Sequence, residues 1–305
     1  MTRSSCGNPG MIELRRALRS RAFGGLARWS WSWLVVAARL LTGDATAAAH
    51  QHLNAGAFGS QPGAALYFVN GDRYVDSSGY VVPLEKAETG THAGLHRGSI
   101  TLTALAATLD YGGPTFDHAA LGSHLEVTIE ELEGPAGGSL GFWEGSGEGE
   151  GTEQTFEVPV GIREGTFRIA LSETDGSAGV DPYGHVHGRV FTATTAGLYT
   201  AGLRLLDTSA NGPDGGPLHR ESDLFRLQFQ AGVSLAGIKV EAEEVRVFFG
   251  AAAGFTYQVE ASPRLGPEAV WTGVGDAVRG DDHVREVRLP RVVDGAFFRL
   301  RRSAG

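Results

Sequence analysis

Cysteine is almost absent from this 305-residue sequence, in which Cys6 is the single instance. The chain beyond it therefore has no thiol for a disulfide or for a cysteine nucleophile. Long apolar segments with helical spacing are also missing after residue 50. Short alternating apolar runs lie between glycine-rich turns there, and the whole chain holds 45 Gly and 12 Pro. This pattern predicts an all-β protein.

Recognisable catalytic motifs are lacking as well. The sequence shows no Ser-His-Asp spacing, no nucleophile elbow, no phosphate-binding loop and no dinucleotide fingerprint. Whether the chain is an enzyme is left open, and the sequence favours a role without catalysis.

The first 49 residues are predicted to be a secretory signal peptide. An arginine-rich region precedes the apolar run 29–38, and small residues follow at Ala47 and Ala49. Cleavage after either alanine fits. Arg39 and the shortness of the apolar run argue against a membrane anchor. We therefore expect a secreted, periplasmic or cell-surface protein with no membrane span once the leader is removed.

Negative charge is concentrated in one part of the chain. Without residues 1–49 the chain keeps 19 of its 26 basic and 33 of its 35 acidic residues, a net charge of −14. Residues 233–305 are balanced, so the excess lies in 50–232. Such a surface repels nucleic acid and anionic lipid and attracts cations, although it also serves solubility.

Two β domains are predicted after the leader. About nine strands in residues 50–232 fit an antiparallel β-sandwich, and five or six short strands in 233–305 fit a small immunoglobulin-like or fibronectin-like domain. A hairpin is expected at Asn70-Gly71, and a strand over 185–192 is expected to return as 198–206. The clearest alternation, over 124–132, predicts a strand that buries Leu125, Val127 and Ile129.

Histidines supply the candidate site. His185 and His187 alternate along a predicted strand, so both side chains should lie on one face and could converge on one ion. Neutral imidazoles suit Zn²⁺ or Cu²⁺. A tight site needs further ligands, and the sequence offers His50 and His52 near the predicted mature terminus and His219 at the end of a long glycine- and proline-rich loop. Ordinary hydrogen-bonded strand histidines are the alternative interpretation.

The stretch 50–57, the His-x-His strand, Gly197-Leu-Tyr199 and the loop 207–219 together resemble exported bacterial surface proteins of the choice-of-anchor or surface-anchored repeat type. Residues 257–262 and 297–300 resemble a small β domain that ends many exported proteins of Verrucomicrobia-like bacteria. The resemblance implies a β-sandwich at or outside the cell surface. It also suggests metal handling, because some relatives are encoded beside metal-uptake transporters.

Three functions follow from these observations. The first is an exported protein that binds a divalent transition metal through strand histidines. The second is a structural or adhesive surface β-sandwich without a metal, which could contact components of the cell envelope. The third is a copper oxidase, which would require His50 to be the first residue of the mature chain, where the amine, amides and an imidazole can chelate Cu²⁺.

Overall fold

The computed structural model describes residues 52–111, 115–145, 151–185, 189–291 and 296–305. The predicted leader and the predicted ligands His50 and His187 lie outside these ranges. Within them the chain is all-β, as predicted, and its helical content is limited to four single 3-10 turns. No helix among the described residues is both long and apolar enough to cross a bilayer.

Thirteen strands lie among the described residues between 52 and 231. They are β1 (His52–Ala57), β2 (Leu66–Phe68), β3 (Val82–Lys86), β4 (His96–Gly98), β5 (Thr101–Ala104), β6 (Leu125–Glu133), β7 (Ser139–Glu144), β8 (Glu153–Pro159), β9 (Phe167–Ala170), β10 (Gly184–His185), β11 (Val190–Ala193), β12 (Gly197–Asp207) and β13 (Phe225–Ala231).

These strands form two sheets that enclose one core. The smaller sheet has the order β10-β5-β1-β2, and the larger has the order β8-β7-β11-β4-β3-β13-β12-β6-β9. Strand β6 buries Leu125, Val127 and Ile129, as its alternation predicts. Tyr199 of β12 and Phe229 of β13 are opposite one another in the register and are also fully buried in this core.

Two strand pairs are parallel, whereas the sequence predicts an antiparallel sandwich. Strand β1 pairs in parallel with β5, and β13 pairs in parallel with β3; the other named pairings among these thirteen strands are antiparallel. Parallel neighbours need a long crossover connection. The chain supplies one between β1 and β5, because β2, β3 and β4 are placed in that connection.

Both hairpins predicted from the sequence are wrong. Strand β2 pairs with β1 instead of β3, and Asn70 serves a different purpose from a hairpin turn. Its side-chain oxygen accepts the Asn54 N–H at 2.8 Å, and its amide donates to the His52 carbonyl at 2.7 Å. A side chain that satisfies backbone groups of a neighbouring strand fastens β1 rather than reversing the chain.

The second predicted hairpin divides between the two sheets. The stretch 185–192 contains the end of β10, in the smaller sheet, and part of β11, in the larger one. Strand β11 pairs with β7 and β4, while β12 pairs with β6 and β13. The sheet change between Gly184–His185 and Val190–Ala193 is what brings His185 to the smaller sheet.

Seven more strands lie in the described residues of the C-terminal part. They are β14 (Gly237–Val240), β15 (Glu244–Ala251), β16 (Phe255–Ser262), β17 (Thr272–Gly273), β18 (Val278–Arg279), β19 (His283–Pro290) and β20 (Phe297–Ala304).

The C-terminal strands have a hydrophobic core of their own. Strands β14, β15 and β19 form one sheet, and β16 pairs with β17, β18 and β20 in another. Val247, Phe249 and Val259 lie at the centre of this core. Residues 52–305 nonetheless belong to one compact unit, in which Arg302 donates to the Glu85 carboxylate at 2.7 Å. That the two regions are separate domains with a boundary at residue 232 stays a prediction.

Candidate functional site

Two of the predicted histidines meet on the smaller sheet. His52 opens β1 and His185 ends β10, and these strands lie on either side of β5. The register places His52 opposite Thr101 and His185 opposite Thr103. Residues two apart on a strand share a face, so both rings stand on the face of β5 that carries its threonines. Their ring centroids are 4.7 Å apart, with an angle of 51° between the planes.

Thr103 lies on the central strand and holds one of the rings. Its hydroxyl oxygen is 3.1 Å from Nδ1 of His52. With the hydroxyl as acceptor, the His52 proton resides on Nδ1, and Nε2 carries the lone pair that a metal would use. On the other face of the same strands, Leu53 and Leu102 are buried. The hydrophobic core therefore fixes the backbone from which the two imidazoles project.

Gly184 makes the position of His185 possible. A Cβ built on Gly184 would lie 1.6 Å from the carbonyl oxygen of Leu171, so only glycine lets this backbone approach so closely. The backbone of His185 is also held in place, because its N–H donates to the Glu173 carboxylate at 2.7 Å. The glycine beside the pair thus admits a neighbouring carbonyl group.

Aromatic rings continue the site beyond His185. Tyr183 meets the His185 ring edge-on with centroids 6.5 Å apart, and Tyr111 stacks on Tyr183 at 4.3 Å. Burial, together with the charge of Glu173, raises the pKa of the Tyr183 hydroxyl. This phenol therefore stays protonated at neutral pH and can offer a hydrogen bond but no anionic oxygen.

The spacing of the two rings is compatible with one shared metal ion. At metal–nitrogen distances of about 2.0–2.1 Å, two imidazoles on a tetrahedral ion have centroids about 5 Å apart. On neighbouring positions of a square-planar ion the separation is about 4.5 Å. The measured 4.7 Å lies between these values. Among the described residues, however, no group of three or more His, Cys, Asp or Glu side chains is arranged to hold a metal.

His219 is not brought to the pair. It is buried, its Nε2 accepts the Ala120 N–H at 2.8 Å, and its Nδ1 lies 3.0 Å from the Ala64 carbonyl oxygen. Both ring nitrogens are thus used to join three segments of backbone. A buried imidazole with both nitrogens bonded is well suited to a structural role. The sequence-based prediction that His219 is a ligand has no support from this geometry.

Three residues of this region were not singled out from the sequence as site residues, namely Thr103, Glu173 and Tyr183. Tyr183 is close in sequence to the His-x-His motif, and this nearness could have identified it. No sequence signal identifies Thr103 and Glu173, because only strand pairing places them beside the histidines. His50 and His187 are each two residues from a member of the pair and lie outside the described residues.

Comparison of the chain with protein-family models, with curated proteins and with solved structures found no match. The resemblance to exported surface proteins therefore stays a prediction.

Proposed function

We propose that this chain is an exported cell-envelope or extracellular protein that binds a divalent transition metal, Zn²⁺ or Cu²⁺, through strand histidines. The observation that supports this most directly is the 4.7 Å separation of the His52 and His185 rings, which come from distant parts of the sequence. Each belongs to a separate His-x-His motif. The contact between one histidine of each motif is not explained by burial in the apolar core, because His52 and His185 are only half-buried.

The contact between His52 and Thr103 also supports metal binding. Histidine ligands commonly donate their second ring N–H to an acceptor, which orients the ring and fixes the lone pair on the other nitrogen. The Thr103 hydroxyl is placed to be that acceptor. In this proposal His52 binds the ion through Nε2, and His185 supplies the second nitrogen.

His50 and His187 complete the proposed coordination. Each is two residues from a member of the pair, and a continued strand would put it on the same face as that partner. Four imidazoles would suit either ion, tetrahedral for Zn²⁺ or square-planar for Cu²⁺. The net charge of −14 after residue 49 would raise the local concentration of cations near the protein.

The test is calorimetric titration of the chain, purified without a histidine tag, with Zn²⁺ and with Cu²⁺. We expect His52→Ala and His185→Ala each to weaken binding at least tenfold. Thr103→Val, which keeps the shape of the side chain but removes the acceptor, should cost about tenfold. His283→Ala is the matched control, because His283 is a partly exposed strand histidine in another sheet.

Acid should weaken the binding, because a protonated imidazole is no ligand. The affinity is expected to fall as the pH drops through about 6.5, the ordinary pKa of histidine. Absence of binding by the unaltered chain, or equal affinity in the His52 and His185 variants, would contradict the proposal. Mass spectrometry of exported protein would establish in addition whether residues 1–49 are removed.

A structural or adhesive surface protein is the second candidate, and one observation favours it. The contact between His52 and Thr103 ties β1 to β5, and the His52 carbonyl is bonded by Asn70. If the histidines serve only this purpose, His52→Ala lowers the free energy of unfolding equally with and without metal. A metal site instead makes the loss larger when metal is present, by linkage.

A further inference from the structure

An exposed aromatic ring stands at the opposite end of β1 from the histidine pair. Phe58 directly follows β1 and is 66% exposed. Its ring lies on that of Tyr67 with centroids 3.8 Å apart and an angle of 10° between the planes. Because Tyr67 covers one face of the Phe58 ring, the exposure belongs to the opposite face. The pair therefore presents a flat apolar surface to solvent.

The supporting residues hold this aromatic pair in place. Burial and the neighbouring Asp117 carboxylate, which accepts the Tyr67 hydroxyl, raise the pKa of Tyr67. The Asp117 carbonyl in turn accepts the Ala57 N–H at 2.8 Å. This approach requires Gly56, since a Cβ there would lie 2.1 Å from the same carbonyl oxygen. Asp117 also has a left-handed backbone with φ of 58°, a conformation that costs free energy and is often retained at binding sites.

A cavity of about 360 Å³ adjoins the pair. The aromatic residues Phe58, Tyr67 and Phe225 are among those that line it. Its polar lining residues are Asp72 and the segment 220–223. The volume is at the lower end of the range of about 300–1,000 Å³ typical of small-molecule sites. Concave shape, flat aromatic faces and converging polar groups together favour a small ligand over a flat protein surface.

The polar residues that line the cavity are rich in hydrogen-bond acceptors. Asp72, Glu221 and Asp223 are exposed there, and Arg220 is the single cationic group among the residues that line it. The Arg220 Nε donates to the Gly63 carbonyl at 3.0 Å, so part of its donor capacity is already used. Carboxylates accept hydrogen bonds from hydroxyl groups, and their excess repels anionic ligands.

We propose that this cavity binds a neutral oligosaccharide with β-1,4-linked gluco-configured rings. Such rings place their hydroxyls at the periphery and leave an apolar C–H face that can pack flat on the open face of Phe58. Their peripheral hydroxyls then donate to the carboxylates of Asp72 and Asp223. The site is independent of the metal proposal, because Phe58 is six residue steps from His52 along nearly extended chain, about 20 Å.

The test is calorimetric titration of the full chain with cellotetraose and, separately, with chitotetraose, its N-acetylated counterpart. Saturation-transfer NMR should show the ring C–H protons of the bound sugar receiving magnetisation from the protein. We expect Phe58→Ala to reduce the affinity at least tenfold and Phe58→Tyr, which restores the flat ring, to recover most of it. Asp72→Asn combined with Asp223→Asn should weaken binding at least threefold. Phe297→Ala is the control, since Phe297 is also an exposed phenylalanine and lies on β20.

Failure of both sugars to bind the unaltered chain with a Kd of about 10 mM or tighter would overturn the proposal. So would an affinity that Phe58→Ala leaves unchanged. Sedimentation of the unaltered chain provides an independent check. If it forms a dimer that Phe58→Ala abolishes, a second copy of the chain covers this ring and the assignment to a sugar is wrong.

Discussion

The carboxylate of Asp207 is the most heavily bonded side chain near the long loop that ends at His219. Asp207 is buried, and each of its oxygens accepts two backbone N–H groups. Oδ1 accepts from His124 at 3.1 Å and Ser209 at 3.0 Å, and Oδ2 accepts from Leu218 at 2.9 Å and His219 at 3.0 Å. One side chain thus joins both ends of the loop to the start of β6.

Replacing Asp207 with Asn keeps the shape of the side chain but halves its acceptors. The remaining oxygen can satisfy two of the four N–H groups, and the new amide presents donors to the other two. Hydrogen bonds to a charged group contribute about 1.5–3 kcal/mol each. The loss of two therefore predicts a decrease of about 3–6 kcal/mol in the free energy of unfolding. At about 2–4 °C per kcal/mol for a large domain, that corresponds to a fall in Tm of about 6–24 °C.

Urea unfolding followed by circular dichroism measures this change, with the free energy of unfolding taken from the linear extrapolation. Asp110→Asn is the matched control, because Asp110 is exposed, and we expect it to change stability by less than about 0.5 kcal/mol. A loss below about 1 kcal/mol in Asp207→Asn would refute the reasoning. It would mean that the four backbone N–H groups find other acceptors, such as water, when the carboxylate is gone.

Further predictions concern the neighbourhood of the histidine pair and the C-terminal sheet. Gly184→Ala should destabilise the chain by more than about 2 kcal/mol and abolish metal binding, because its Cβ would displace β10. Gly237→Ala is the neutral control in the same urea assay, because no atom lies within 4 Å of the Cβ that it adds. The hydrogen bond from Arg246 lowers the pKa of Glu286 to about 2, from an ordinary value of 4.5. Because the folded pKa is the lower one, this ion pair stabilises the fold above about pH 4.5 and loses its effect as the pH falls toward 2. Acid titration of Glu286→Gln should therefore show a shallower loss of stability in that window, and an unchanged slope would contradict the ion pair.

The structure agrees best with the predictions that rest only on the alternation of apolar and polar residues along a strand. The strand over 124–132 has the predicted inward residues, because each turn of the pleat places one side chain in the core and the next outside. Alternation does not tell which of two adjacent identical residues points into the core. In the C-terminal core Phe249 is the fully buried ring, and the adjacent Phe248 is only half-buried. The register of the strand decides which of two neighbouring phenylalanines is buried.

Strand partners were the least predictable feature. The Asn70-Gly71 pair is a common hairpin signal, yet Asn70 bonds to β1 and the chain continues into a different sheet. Local turn chemistry fixes the backbone over a few residues only. The choice between pairing with the next strand and pairing with a distant one depends on the total apolar surface that the whole sheet buries.

The sequence by itself determined the all-β class, the inward faces of its clearest strands and the types of side chain that could bind a metal, because these follow from side-chain period, backbone preference and ligand chemistry. Tertiary structure alone decided that His52 meets His185 across β5, while His219 bonds to backbone elsewhere. That outcome depends on a parallel pairing, a change of sheet between β10 and β11, and a close approach that only Gly184 permits. Each of these is a contact between segments far apart in the chain, and no local pattern of residues carries that information.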